Sequence, residues 1–185
     1  MDDLQAIRLM KAGDVGGLEV LVARYQQKAV QTAYLITHDE QLAEDVAQET
    51  FVRIYQRIRQ FDEMRPFAPY LLRSIANAAL NAAEKTARWV QLDDGTDVRD
   101  VSDLLLHAAS VEEQADYLQL KRDVFSALAA LSPRQRSVIV QRYYLQMSEK
   151  EMAESLSAAP GTVKWLLNTA RERLRSLLGS ERSAK

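Results

Sequence analysis

Thr162, Lys164, Trp165, Asn168 and Arg171 place a hydroxyl, two cations, an indole and an amide within one short stretch. Their chemistry is recognition rather than bond-making. Lys164 and Arg171 can pair with phosphates, and Asn168 can pair with the edge of an adenine. Trp165 can touch a thymine methyl or be buried against another protein. Nothing elsewhere in the chain forms a nucleophile-and-base set or a glycine-rich phosphate loop. The chain has no cysteine and only His38 and His107. Disulfides and cysteine-held metals are therefore excluded, and no metal or other cofactor is expected.

These side chains need a rigid element to aim them. The stretch from Ser148 to Leu178 predicts two helices joined by a tight turn. Ser148 and Glu151 have the spacing of a capping box, so a helix should start there. Ser157, Ala158 and Ala159 form the expected turn. Pro160 suits the first position of the next helix, where its missing N–H is not needed. In that helix Val163, Leu166, Leu167, Ala170, Leu174, Leu177 and Leu178 share one face. Gly161, Lys164, Trp165, Asn168, Glu172 and Arg175 share the other. A recognition helix in the major groove reads bases from its N-terminal end, where this polar face begins. The competing expectation is an αα-hairpin whose Arg171, Arg173, Arg175 and Arg182 are merely solvated.

The remaining chain is built to support helices. Of 185 residues, 47% are hydrophobic and 27% charged, with Gly and Pro few, which is a globular and helix-favouring balance. No apolar run approaches the ~20 residues of a membrane span, and the N-terminus has no secretory pattern. The formal charge is −2, but it is uneven. Only residues 111–185 are net basic, with 12 cations against 9 acids, whereas 88–110 carry 2 against 5. So small an excess gives a modest counterion-release contribution, and the isolated chain should bind DNA weakly. A larger partner would have to supply the remaining affinity.

Further helices are expected over residues 2–12, from Asp14 as N-cap to Ile36, and from Asp39 to Phe61 behind a Thr37–Glu40 capping box. In the last of these, Ala43, Ala47, Phe51, Ile54 and Ile58 form the core stripe. Asp45, Glu49, Arg53 and Gln56 lie opposite, together with Leu42 and Val46. Two prolines make 62–69 a loop, and a helix runs from Tyr70 to about Arg88. Its apolar positions are Leu71, Ile75, Ala78, Ala79 and Ala82, with Arg73, Asn77, Asn81 and Lys85 on the polar face. Residues 89–110 are expected to form an acidic linker with a short amphipathic piece at 101–106. A final helix from Val111 uses Ala115, Leu118, Phe125, Leu128 and Leu131, ending at the Ser132-Pro133 break.

Several motifs carry a family resemblance. Leu131-Ser132-Pro133-Arg134-Gln135-Arg136, Arg142-Tyr143-Tyr144, Glu151-Met152-Ala153-Glu154 and Pro160-Gly161-Thr162-Val163-Lys164 together resemble region 4 of the extracytoplasmic-function (ECF) sigma factors of bacterial RNA polymerase. Ala43-Glu44-Asp45, Gln48-Glu49 and Phe51 resemble region 2.2, and Tyr70 to Arg88 resembles regions 2.3 and 2.4. Tyr70 stands where Trp is usual, Asn81 where an acid is usual, and the basic run thins to Lys85 and Arg88. In the C-terminal motif Ala159 takes the place of a capping Ser, and one cation of the recognition helix is missing.

The resemblance implies an all-α fold of two small helical domains joined by the acidic linker, the second with a helix-turn-helix. Residues 1–88 would be the region 2 domain and 111–185 the region 4 domain. Asp45, Gln48, Glu49 and Arg53 would dock on the β′ clamp helices of core RNA polymerase, with the β flap as a second contact. Arg73, Asn77, Asn81, Lys85 and Arg88 would serve the −10 element, where a flipped base is held. Thr162, Lys164, Trp165, Asn168 and Arg171 would serve the −35 element. The protein would be a transcription initiation factor, not an enzyme. It would be cytoplasmic, held at the membrane, if at all, by an anti-sigma factor. Leu42, Val46, Trp165 and Leu104–Leu106 are suited to contact such a partner. The alternatives are a conventional helix-turn-helix regulator working without polymerase, and a helical interaction module.

Overall fold

The computed structural model describes residues 1–90 and 111–183. The expected linker piece, Leu104–Leu106 and nearly all of 89–110 lie outside the described residues. The described residues form α1 (Asp3–Lys11), α2 (Gly16–Thr37), α3 (Glu40–Arg57), α4 (Phe67–Val90), α5 (Val111–Ala129), α6 (Pro133–Ile139), α7 (Glu149–Ser155) and α8 (Pro160–Ser183). A 3₁₀ turn, Ile58–Gln60, extends α3, and a π turn, Val140–Tyr144, follows α6.

Helix α2 is the axis of the N-terminal half, with α1, α3 and α4 packed around it. Leu21, Ala29, Ala33 and Ile36 of α2 are fully buried against Ala6, Ala43, Leu71 and Ile75 from the others. The crossing of α1 on α2 is made at Gly17. A Cβ there would stand 2.2 Å from the carbonyl oxygen of Ala6, so no other residue permits this approach. Gly13, at φ 91°, supplies the left-handed turn between the two helices.

Local chemistry sets the helix ends, and in three places it differs from expectation. Asp39, not Thr37, caps α3: its carboxylate accepts from the Leu42 N–H at 2.9 Å, while Thr37 bonds the Asp39 backbone. The N-cap of α2 is Val15, and Asp14 instead accepts from the Gly16 N–H at 2.8 Å. Helix α4 starts at Phe67 rather than Tyr70. Pro69 falls in its first turn, where no intrahelical N–H is required, and Phe67 packs against Phe61 and Tyr25. Burial of the ring outweighs the bias against helix before a proline.

The C-terminal half has a smaller core of Leu128, Leu131, Val138, Met152, Val163, Leu167 and Ala170. Capping boxes start α6 at Ser132 and α7 at Ser148. Ser157, at φ 49°, turns the chain from α7 into α8. The two cores touch. Leu35, Leu145 and Leu156 pack against both, and Val140 is buried in the N-terminal one. No helix among the described residues is long and apolar enough to cross a membrane.

Candidate nucleic-acid and polymerase interfaces

Helix α8 presents its N-terminal face as its sequence predicts. Val163, Leu167 and Ala170 are fully buried, while Thr162, Lys164, Trp165 and Asn168 are exposed. The indole of Trp165 is 64% exposed, which is unusual for so large an apolar group without a partner. Arg171 is anchored. Its Nε donates to the Tyr143 hydroxyl at 2.7 Å, and its guanidinium lies 5.7 Å from the centre of that ring. A longer contact, 3.3 Å, links it to Asn168 Oδ1. The sequence marks Tyr143 as part of the Arg142-Tyr143-Tyr144 motif but assigns it no role of its own. It lies in the π turn that follows α6 and is exposed there.

Helix α3 offers a second face. Asp45, Gln48, Glu49 and Arg53 are all exposed on one side. Arg53 is steadied by a bond to Thr50 Oγ1 at 3.0 Å. Val46, expected on this outer face, is instead buried at 6% exposure, and Leu42 packs partly on the core. The reason is that α3 lies in a groove between α2 and α4, so its buried arc is wider than one stripe. Val52 is the apolar residue left outside, at 46%.

The polar face of α4 divides. Asn81, Lys85 and Arg88 are exposed. Arg73 and Asn77 are half-buried, because the C-terminal half packs over them. Asn77 Nδ2 donates to the backbone oxygen of Ser155 at 3.0 Å, and Ser155 Oγ donates to Asn77 Oδ1 at 2.7 Å. Arg73 lies 3.6 Å from Glu154, and Arg134 lies 2.6 Å from Glu84. Asn77, Asn81, Arg134, Ser155 and Thr162 line one cleft of about 400 Å³ between α4 and the helix-turn-helix. Leu72, Ala76, Leu80 and Ala83 are buried as well, so α4 is covered on more sides than its pattern implied.

A further seam joins α2 to α5 and α6. The His38 ring stacks on Phe125 at 4.1 Å, and Tyr34 stacks on the same ring at 5.1 Å. His38 takes a left-handed conformation at the end of α2, φ 56°. Burial, with Arg136 nearby, holds its pKa down at about 3, so it is neutral. Burial also lowers Arg136 to about 10. His38 Nε2 and Arg136 Nε have no hydrogen-bond partner among the described residues. The Tyr144 hydroxyl donates to Gln31 at 2.8 Å, and burial raises its pKa. None of these seam residues was marked as functional by sequence. The pairings are between residues far apart in the chain and leave no local pattern.

Fold and surfaces together define a two-part helical protein with a helix-turn-helix and a separate exposed acidic helix face. Comparisons make the class specific. Sigma-70 region 2 matches residues 21–89 and Sigma-70 region 4 matches residues 121–174. The ECF RNA polymerase sigma factor SigW of Bacillus subtilis is 30% identical over 93% of this chain and 94% of its own length. An RNA polymerase sigma-E factor of Streptomyces avermitilis is 31% identical over 92% of this chain and 90% of its own length. The structure of CnrH in complex with the cytosolic domain of CnrY superposes with a TM-score of 0.62 at 28% identity, covering 96% of this chain and 97% of that one. The chain belongs to the ECF sigma factors of the sigma-70 family, which direct promoter-specific initiation of transcription.

Proposed function

We propose a division of labour within this sigma factor. Residues 1–88 dock on core polymerase and open the −10 element, 111–185 read the −35 element, and 89–110 tether the two. The exposed Asp45, Gln48, Glu49 and Arg53 of α3 contact the β′ clamp helices, with the β flap as the other polymerase contact. Arg73, Asn77, Asn81, Lys85 and Arg88 of α4 serve the non-template strand, with Asn77 on an unpaired base. Thr162, Lys164, Trp165, Asn168 and Arg171 enter the −35 major groove from the N-terminal end of α8. The observation that carries this is the chain's match to both sigma regions in order. The exposed polar faces of α3 and α8, each on a firmly buried helix, fit the same division.

The protein works in the cytoplasm and catalyses no reaction of its own; polymerase makes the bonds. An anti-sigma factor is part of the proposal, with Trp165 and Val52 among the exposed large apolar side chains available to it. Val46, being buried, is withdrawn from that surface. The test is saturable binding to bacterial core RNA polymerase by wild type, Asp45→Arg and Arg53→Glu. Each charge reversal is expected to weaken binding at least tenfold without changing helicity. Equal binding by all three would remove α3 from the polymerase interface.

A further inference from the structure

We propose that Ser155 acts as an intramolecular stand-in for a nucleobase, so that the helix-turn-helix masks the −10-reading amide of Asn77 until the two halves separate. The inference rests on the role of Asn77 given above. An asparagine amide recognises adenine by donating to N7 and accepting from the N6 amino group. Ser155 offers the same pair: its backbone oxygen accepts from Nδ2 at 3.0 Å, and its hydroxyl donates to Oδ1 at 2.7 Å. Both ends of the Asn77 amide are engaged in the orientation a base edge would use. A base and Ser155 therefore compete for one group.

The geometry of a promoter makes the masking consequential. The −10 and −35 elements are, by the positions that name them, about 25 base pairs apart, which at ~3.4 Å per pair is about 85 Å. Here Thr162 of the recognition helix and Asn77 and Asn81 of α4 line the same cleft. One conformation cannot serve both elements. At the cleft the closed arrangement is held by Asn77–Ser155, flanked by Arg73–Glu154 and Arg134–Glu84, and away from it by the His38–Phe125 stack and the Tyr144–Gln31 bond. The flanking ion pairs are partly exposed and individually weak, which suits a latch that a larger partner must open.

The test uses the full chain, a fluorescently labelled twelve-nucleotide oligo-deoxyadenylate and core polymerase. Ser155→Ala removes the hydroxyl while keeping the helix, and Arg134→Glu opens the cleft from its rim by repelling Glu84. Both variants are expected to bind the oligonucleotide three- to tenfold more tightly than wild type, the effect of one or two lost competing hydrogen bonds. Adding Asn77→Ala to either should abolish the gain. Unchanged or undetectable oligonucleotide binding in both variants, or a gain that survives Asn77→Ala, overturns the masking. Core binding, measured in parallel, separates the two ideas. If no form binds core polymerase the sigma assignment of these surfaces fails, whereas core binding without the oligonucleotide gain defeats the mask alone.

Discussion

Helices α4 and α8 are similar objects in opposite surroundings. Each is long, buries one apolar face, and carries cations and amides at three- and four-residue spacing on the other. On α8 that polar face is open around Lys164, Trp165 and Asn168. On α4 it is open only toward Asn81, Lys85 and Arg88, while Arg73 and Asn77 are held by α7. Amphipathic spacing says which residues leave the local core. It does not say whether another part of the chain then covers them. A polar residue at a seam and a polar residue at a ligand site have the same helical address.

The contrast can be broken most forcefully from beneath. Leu167 is fully buried under the open face of α8. Leu167→Ala should lower the unfolding free energy by about 2–5 kcal/mol in urea titrations, because the site cannot collapse around the void. Its −35 duplex affinity in the presence of core polymerase should fall too, since the polar face loses its footing. A loss below 1 kcal/mol would mean that α8 is not seated as described.

The seam can be tested with protons. His38 has its pKa held at about 3 when folded against an ordinary 6.5, so the folded form binds fewer protons between those values. Its stability contribution is then complete above about pH 6.5 and is lost progressively as pH falls below it. The other groups facing it are the rings of Tyr34 and Phe125, which keep water from solvating a charged imidazole, and the Arg136 cation, which repels one. Moving from pH 7.5 to 5.5 should therefore remove about 1 kcal/mol of stability. His38→Asn, which tolerates the left-handed backbone, should flatten that dependence in paired urea titrations. Equal slopes for both proteins would place His38 outside the packed seam.

Smaller effects sharpen the open side. Ala159 precedes α8 as its N-cap without a side-chain acceptor, and Ala159→Ser should raise stability by about 0.5–1 kcal/mol on thermal unfolding. Trp165→Ala should change stability by less than about 0.5 kcal/mol because the indole is mostly in water. The same variant should weaken promoter-directed transcription or partner binding. A large stability loss instead would show that the indole is structural.

Much of this molecule was legible along the chain. Ser132 and Ser148 each stand three residues before a Gln or Glu and both form capping boxes, whereas Thr37, with the same spacing before Glu40, yields to Asp39. Val163, Leu167 and Ala170 recur at three- and four-residue steps, and all three are buried. Where local signals competed, burial chose: Phe67 draws the start of α4 back past Pro69, and Val46 turns inward because α3 is gripped from two sides.

What the sequence determined by itself was therefore local: which segments are helices, which face of each is apolar, where the turn before α8 falls, and which family the motifs belong to. Capping, helical periodicity and proline geometry act over a few residues and leave their mark there. Only the tertiary structure decided that Asn77 meets Ser155, that His38 lies against Phe125, and that Arg171 rests on Tyr143. Those partners stand 28 to 87 residues apart. Their meeting depends on how two cores press together, and that depends on the summed shape of all the helices rather than on any spacing in the chain.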